Sequence, residues 1–412
     1  MAPVNPSKLA FVLAGGAARG AYEVGVAQYV LEDVARALGR PIRPDILCGT
    51  SVGALNACGM AAFADEGTNS VRRLLDVWSG LDVRTLVGPD VRGVLAMGAR
   101  LLGKSAAPDV VPPREGGLLD PSGLERLIDQ EIPFGRIAEN LERGHVEALA
   151  VSTTHVASGR TCVFVQRRGG GLPPWSADPT IEPRPSTIRL EHALASAAVP
   201  ILFRAVKIDG EFHCDGGLRQ NVPLSPARRL GADRVLVVNP RYLATTPIGE
   251  PTAAAEDIFP GPLFLLGKTL NALLLDRIDT DLSRVEAINK ILSAGAKAYG
   301  PDFVERLNTA LGHDGGRGLR PMHTLLIRAS EDIGVRAAEY VRSKAFNHVD
   351  GMTGRVLRRL AERDARSESD LLSYVLFDGR FAQSLIDLGR TDARRRHDEL
   401  ASFFEPIVRG KG

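Results

Sequence analysis

Cysteine is scarce in this chain: only four occur in 412 residues, Cys48, Cys58, Cys162 and Cys214. They form no CxxC pair and no zinc-like spacing, and they sit in apolar runs, so they read as buried free thiols and not as a disulfide or metal framework. Charge of one sign is lacking too. Lys+Arg 51 against Asp+Glu 49 leaves +2, far from the basic balance of nucleic-acid binders, and nucleic acid is not an expected partner. No stretch approaches the ~20 apolar residues of a spanning helix. The apolar run Leu9 to Ala14, behind Met1 to Lys8, is too short for a signal-peptide core with its cleavage site. The expectation is a cytoplasmic protein whose membrane contact, where it has any, is peripheral. The acidic residues show no calcium-loop spacing, no internal repeat is visible, and neither metal nor cofactor is expected.

What is present is apolar material, 44% of the chain, enough for one large α/β core with a substantial helical appendage. Lys8 to Ala14 reads as a buried strand running into Gly15, Gly16 and Gly20, and Ala27, Val30, Leu31, Val34 and Leu38 then recur at helical spacing. A second unit follows the same plan: strand Ile46 to Cys48, a turn at Gly49 to Gly53, and a small-residue helix Ala54 to Ala62. Further strands are predicted at Val146 to Ser152, Thr161 to Gln166, Ala205 to Ile208, Glu211 to Cys214, Arg234 to Val238 and Thr324 to Ile327. Alternation with helices implies a mostly parallel central sheet flanked by helices. The Pro- and Gly-dense stretches Lys104 to Gly117 and Gly169 to Pro185 read as surface loops. After about Arg241 the chain turns mainly helical, led by an amphipathic stripe from Leu263 through Leu292.

Three segments carry chemistry. Gly49-Thr50-Ser51-Val52-Gly53 is a GxSxG pentapeptide between a predicted strand and a helix, as a nucleophile elbow requires. Its glycines suit a strained turn too crowded for Cβ atoms, and Ser51 falls at a helix N-terminus. Gly15-Gly16-Ala17-Ala18-Arg19-Gly20 can converge backbone amides on an anion. It is no P-loop, because Ala21 and Tyr22 stand where Lys and Ser or Thr are needed, and its glycines miss GxGxxG spacing. An oxyanion hole is the remaining use. Asp215-Gly216-Gly217 suits a base on a tight turn. The same tripeptide at Asp314 to Gly316 lies in a polar stretch that a plain turn explains.

A Ser-His-Asp triad is the main competitor. Of eight histidines, none falls in a loop just past a late strand. His348 and His397 lie among charged helical residues and read as solvated, and His213 reads as structural.

Together these segments resemble the patatin-like phospholipase family, with its glycine-rich oxyanion turn, GxSxG serine and DGG aspartate in that order. Leu119-Asp120-Pro121, Ser158-Gly159-Arg160, Ala195-Ser196 with Pro200, and Asn221 with Pro223 are also similar to family pieces. One departure is Ala17, where the family usually has a third glycine; a positive φ there would strain the turn. The resemblance implies a patatin-like three-layer α/β fold, with residues 1–240 as catalytic domain and 241–412 as a mainly helical region packed on or extending it. It implies Ser51 as nucleophile, Asp215 as base and the Gly15, Gly16 and Ala17 amides as oxyanion donors. Arg19, Gly20, Gly49, Gly53, Gly216 and Gly217 support them. The implied function is a serine lipid acyl hydrolase acting on phospholipid or other fatty acyl esters through an acyl-Ser51 intermediate. An acyltransferase and a non-catalytic lipid-binding protein of the same fold remain alternatives. A homodimer is compatible with the apolar stripe. That stripe reads as packing or dimerisation ahead of membrane insertion, while Arg355, Arg358, Arg359, Arg394, Arg395 and Arg396 are expected to attract anionic head groups weakly.

Overall fold

The computed structural model describes residues 7–86, 88–89, 117, 119–175, 178–243, 278–313, 318–362 and 369–408. Lys104 to Gly117 apart from Gly117 itself, the Leu263 to Leu274 half of the stripe, and Asp314 to Gly316 lie outside them.

Nine strands among the described residues form one sheet. They are β1 (Leu9–Leu13), β2 (Ile46–Thr50), β3 (Ala148–His155), β4 (Thr161–Arg167), β5 (Ile181–Pro185), β6 (Val206–Ile208), β7 (Glu211–Asp215), β8 (Arg234–Asn239) and β9 (His323–Arg328). The order is β9-β8-β1-β2-β3-β4-β5, and β7 joins β3 while pairing with β6. From β9 to β3 all pairings are parallel. β3 pairs antiparallel with both β4 and β7.

The centre of the sheet is covered on both faces, which is why β1 and β2 read as unbroken apolar runs. Leu9, Phe11 and Leu13 feed one core and Ala10, Val12 and Ala14 the other, as the two-residue period of a strand dictates. On the first face lie α1 (Ala21–Gln28, extended by a π-helical stretch Tyr29–Val34), α2 (Val52–Ala62) and α3 (Asn69–Ser79). The later helix α4 (Gly379–Arg395) packs along α1. The approach is close because both helices present glycine: a Cβ on Gly25 would stand 2.1 Å from the Ile386 carbonyl, and one on Gly389 2.2 Å from that of Tyr22. Among the described residues no helix is long and apolar enough to cross a membrane.

Two expectations are corrected. The stretch Gly169 to Pro185 is not all loop, since it ends in strand β5. Pro183 and Pro185 hide it from pattern reading, yet an edge strand tolerates prolines because its outer side needs no donors. His348 and His397 are not simply solvated: His348 Nε2 bonds Asp378 Oδ2 at 2.8 Å, and His397 Nδ1 bonds the Tyr29 hydroxyl at 3.0 Å. In the basic cluster, Arg395 pairs with Asp392 and Arg396 with Glu399. The described half of the stripe, in helix Ile278–Tyr299, buries Ile278 and Leu292 and lays Leu282 and Val285 against the second core. All four cysteines are buried free thiols.

Candidate active site

Parallel strands place their following turns at one edge of the sheet, and the three motif segments meet there. β2 ends at Thr50, Ser51 turns the chain with φ 55° and ψ −129°, and α2 begins at Val52. This is the strained strand-to-helix elbow, held at a cost of ~1–3 kcal/mol by its surroundings. The glycines are obligatory. A Cβ on Gly49 would lie 2.3 Å from the Gly53 carbonyl oxygen, and one on Gly53 2.3 Å from that of Leu13. The Ser51 amide donates to Ser196 Oγ at 2.8 Å, and Ser196 Oγ donates to the Ser152 carbonyl at 2.7 Å. Ser196 thus ties the elbow to β3.

β7 runs antiparallel to β3 with Asp215 opposite Thr153, which carries its last residue to the elbow. Ser51 Oγ donates to Asp215 Oδ2 at 2.6 Å. The other oxygen, Oδ1, accepts the Gly217 amide at 2.7 Å. Asp215 is held by its backbone as well: its amide donates to the Ala198 carbonyl at 2.9 Å, and its carbonyl accepts Thr154 Oγ1 at 2.9 Å. A Cβ on Gly216 would lie 2.3 Å from the Ser152 carbonyl, so the turn presses against β3. Burial pushes the Asp215 carboxyl up to about 7, against the partial opposition of the Ser51 and Gly217 hydrogen bonds. A carboxyl so placed can take a proton near neutral pH.

The glycine-rich turn follows β1. Gly15 departs from the expectation that its amide is a free donor, because it already donates to the Asn221 carbonyl at 3.1 Å. The Gly16 and Ala17 amides take no hydrogen-bond partner among the described residues. Ala17 does adopt positive φ, 48°, so the alanine that stands in for glycine is strained. Arg19 is a buried residue, not a surface one: its Nε donates to Ser373 Oγ at 2.8 Å and its guanidinium stacks 4.2 Å from the centre of the Tyr374 ring. Ser373 and Tyr374 belong to α5 (Ser369–Val375), over 350 residues along the chain. Gly20 packs on α2 and α3, where a Cβ would lie 2.4 Å from Val52 and 2.9 Å from Trp78.

No histidine among the described residues hydrogen-bonds Ser51 or Asp215. His213 is buried two residues before Asp215, but its Nδ1 bonds Thr153 Oγ1 at 3.0 Å. Burial, with Arg184 and His155 nearby, pushes it down to about 4, so it is neutral. Among the described residues no three His, Cys, Asp or Glu side chains gather as a metal would require. Sequence reasoning missed Ser152, Thr154, Ser373 and Tyr374. Thr154 carries no pattern, and nothing local to Ser373 signals a partner so far away.

A buried serine hydrogen-bonded to a carboxyl, on an elbow beside a turn with two unpartnered amides, brings together the kinds of group that acyl-transfer chemistry uses. The family model for patatin-like phospholipase matches residues 11–228, more than half the chain, and the chain belongs to that family of lipid hydrolases. Among solved structures, VipD from Legionella pneumophila is similar at 14% identity with a TM-score of 0.35, over 93% of this chain and 67% of that one. ExoU, in its complex with SpcU from the type III secretion system of Pseudomonas aeruginosa, is similar at 16% identity with a TM-score of 0.28, over 98% and 74%. Likeness at these scores carries no argument about activity. No curated protein matches the chain.

Proposed function

We propose that this protein hydrolyses fatty acyl esters of lipids with a Ser51–Asp215 dyad. The reading rests above all on the 2.6 Å hydrogen bond between Ser51 Oγ and Asp215 Oδ2 on a strained elbow. Asp215 accepts the Ser51 proton as Oγ attacks the ester carbonyl. The Gly16 and Ala17 amides take the charge on the carbonyl oxygen, the alcohol leaves with the proton, and an acyl-serine remains. Water, deprotonated by Asp215, then releases the fatty acid and restores the dyad. Gly15, Arg19, Gly20, Gly49, Gly53, Gly216 and Gly217 hold the backbone around it. A shallow apolar recess lined by Val52, Leu55, Trp78, Ile128 and Phe377 among others offers an acyl chain an apolar surface beside the elbow. We read residues 1–240 as the catalytic portion, the helical region 241–412 as packed on it, and contact with lipid surfaces as peripheral.

Ser51→Ala and Asp215→Asn are each expected to remove nearly all hydrolysis of a phospholipid, lysophospholipid and p-nitrophenyl ester panel, and the double variant to be little worse, because the two act as a unit. Fluorophosphonate labelling is expected in wild type and not in Ser51→Ala. Retention of more than about a tenth of turnover by either single variant sinks the dyad.

The pH dependence follows from burial. Only ionised Asp215 accepts a proton, so kcat/KM is expected to rise with pH through about 7. Stability runs the other way. The folded-state value lies above that of an unfolded Asp, so this group's contribution is fully present below the ordinary Asp range and is lost as pH rises through about 7. Denaturant melts from pH 4 to 8 should therefore show wild type losing ground to Asp215→Asn. A flat difference across that window contradicts the assignment.

A further inference from the structure

Glu23 is a carboxyl for which the hydrolytic chemistry has no use. It lies on α1, four residues past Arg19, and is 1% exposed. Its Oε2 accepts Asn56 Nδ2 at 2.9 Å, while Oε1 meets no hydrogen-bond partner among the described residues. Burial holds the group well above the usual carboxylate range, with Asn56 and the Ala14 backbone opposing. Burial and the unpartnered Oε1 both favour the neutral acid there over the carboxylate.

Asn56 stands five residues after Ser51 on α2 and is 2% exposed. Its Nδ2 also donates to the Gly20 carbonyl at 3.0 Å, and its Oδ1 accepts Trp78 Nε1 at 3.0 Å. An indole N–H only donates and a backbone carbonyl only accepts, so both partners fix the orientation of the amide. Its second proton then has Glu23 as its acceptor. The four groups bridge the end of the glycine-rich turn, at Gly20, to the helix that begins just after Ser51. Two turns from different strands must keep their mutual placement within a few tenths of an ångström for attack to be productive, and a satisfied buried polar network is a rigid way to secure it.

We propose that Glu23 is a positioning residue which, through Asn56 and Trp78, fixes the Gly15–Gly20 turn against the nucleophile helix. The inference rests on the reading of Ser51 as nucleophile and of the Gly16 and Ala17 amides as oxyanion donors. Glu23 touches neither substrate nor Ser51, and its effect falls on kcat.

The experiment compares Glu23→Gln, Glu23→Ala and Trp78→Phe in the full chain. Two quantities are read: kcat and KM for a p-nitrophenyl ester, and amide hydrogen exchange in residues 15–20 and 51–55. Glu23→Gln keeps a neutral acceptor for Asn56 and is expected to stay within about twofold of wild type in kcat. Glu23→Ala is expected to lower kcat about tenfold or more with KM within twofold, and to speed exchange in both segments. Trp78→Phe keeps the ring and loses one donor, so a kcat loss of about threefold is expected; it carries the test should Glu23→Ala not fold. Unchanged exchange with kcat within twofold in Glu23→Ala overturns the proposal, as does equal damage from Glu23→Gln and Glu23→Ala. A wild type that hydrolyses no ester overturns the hydrolase reading instead, and the exchange comparison still decides whether Glu23 holds the turn.

Discussion

The two tight turns that make the site are built by opposite means. In the elbow, Gly49 and Gly53 face backbone: the Gly53, Ala54 and Leu13 main chains occupy the places their Cβ atoms would take. In the glycine-rich turn, the glycines face side chains: Asn221 against Gly15, Pro240 against Gly16, Val52 and Trp78 against Gly20. Backbone cannot yield without breaking the β1–β2 ladder, whereas a side chain such as that of Asn221 can change rotamer. The elbow is therefore a fixed feature of the sheet. The glycine-rich turn is held instead by side chains from distant parts of the chain.

The largest expected effect breaks this comparison or confirms it. Gly53→Ala drives a methyl into the Leu13 carbonyl, and is expected to cost about 3 kcal/mol or more in urea unfolding and to leave little activity in what folds. Gly15→Ala meets Asn221 Oδ1 at 2.2 Å, which can swing aside, so the expected loss of stability is about 1 kcal/mol or less, with turnover falling because Asn221 and Ser51 are disturbed. Equal destabilisation by the two substitutions would remove the distinction between a backbone-locked and a side-chain-locked turn.

The same contrast explains what was legible in the sequence. The elbow announces itself locally, since a strand, two glycines four residues apart and a small-residue helix suffice to place Ser51. β1, β2, β3 and β8 were readable for a related reason, their two buried faces leaving unbroken apolar runs. Asp215 was readable only in combination, because a DGG tripeptide is ordinary until a GxSxG precedes it. The oxyanion turn was half legible. Its glycines showed where it lies, but the capture of the Gly15 amide by Asn221 and the seating of Arg19 on Ser373 and Tyr374 depend on tertiary contacts that no spacing encodes. Glu23 was hidden for the same reason, as an acidic residue in the first turn of a helix looks like a surface charge. β5 was lost because two prolines mimic a loop.

A middle-sized effect tests how far the glycine-rich turn depends on its remote partners. Arg19→Ala removes the hydrogen bond to Ser373 and the stacking on Tyr374, and with them the clamp between turn and α5. A charge-assisted bond of this kind is worth ~1.5–3 kcal/mol. If about half of that bears on turn geometry, kcat for a short ester drops about four- to twelvefold. Ser373→Ala leaves the stacking intact and is expected to cost about threefold, and Arg19→Ala with Ser373→Ala should fall short of the product of the two losses, because the residues share a contact. A pair of losses that simply multiply would show that Ser373 acts by another route, and an Arg19→Ala enzyme with unaltered kcat would make the clamp structural only.

The smallest effect concerns Ala17, where two opposing contributions nearly balance. At φ 48° the Cβ of an L-residue crowds its own carbonyl, a strain of ~1–2 kcal/mol that glycine does not feel. Glycine in turn gives the unfolded chain more freedom, which takes back ~0.4–1 kcal/mol. The Ala17 methyl also packs partly buried against the first core, and that contact is lost with it. The difference favours glycine by about 0.5 kcal/mol, equivalent to a rise of roughly 1 °C in Tm for a chain of this size. Ala17→Val sharpens the measurement, because a β-branched side chain suffers more at positive φ and gains little packing in a half-exposed place, so Tm is expected to fall by several degrees. The expected order of Tm is therefore glycine above alanine above valine. Should Ala17→Gly melt below wild type, the methyl contact outweighs the strain, and the alanine is a packing residue of the turn and not a tolerated substitute for glycine.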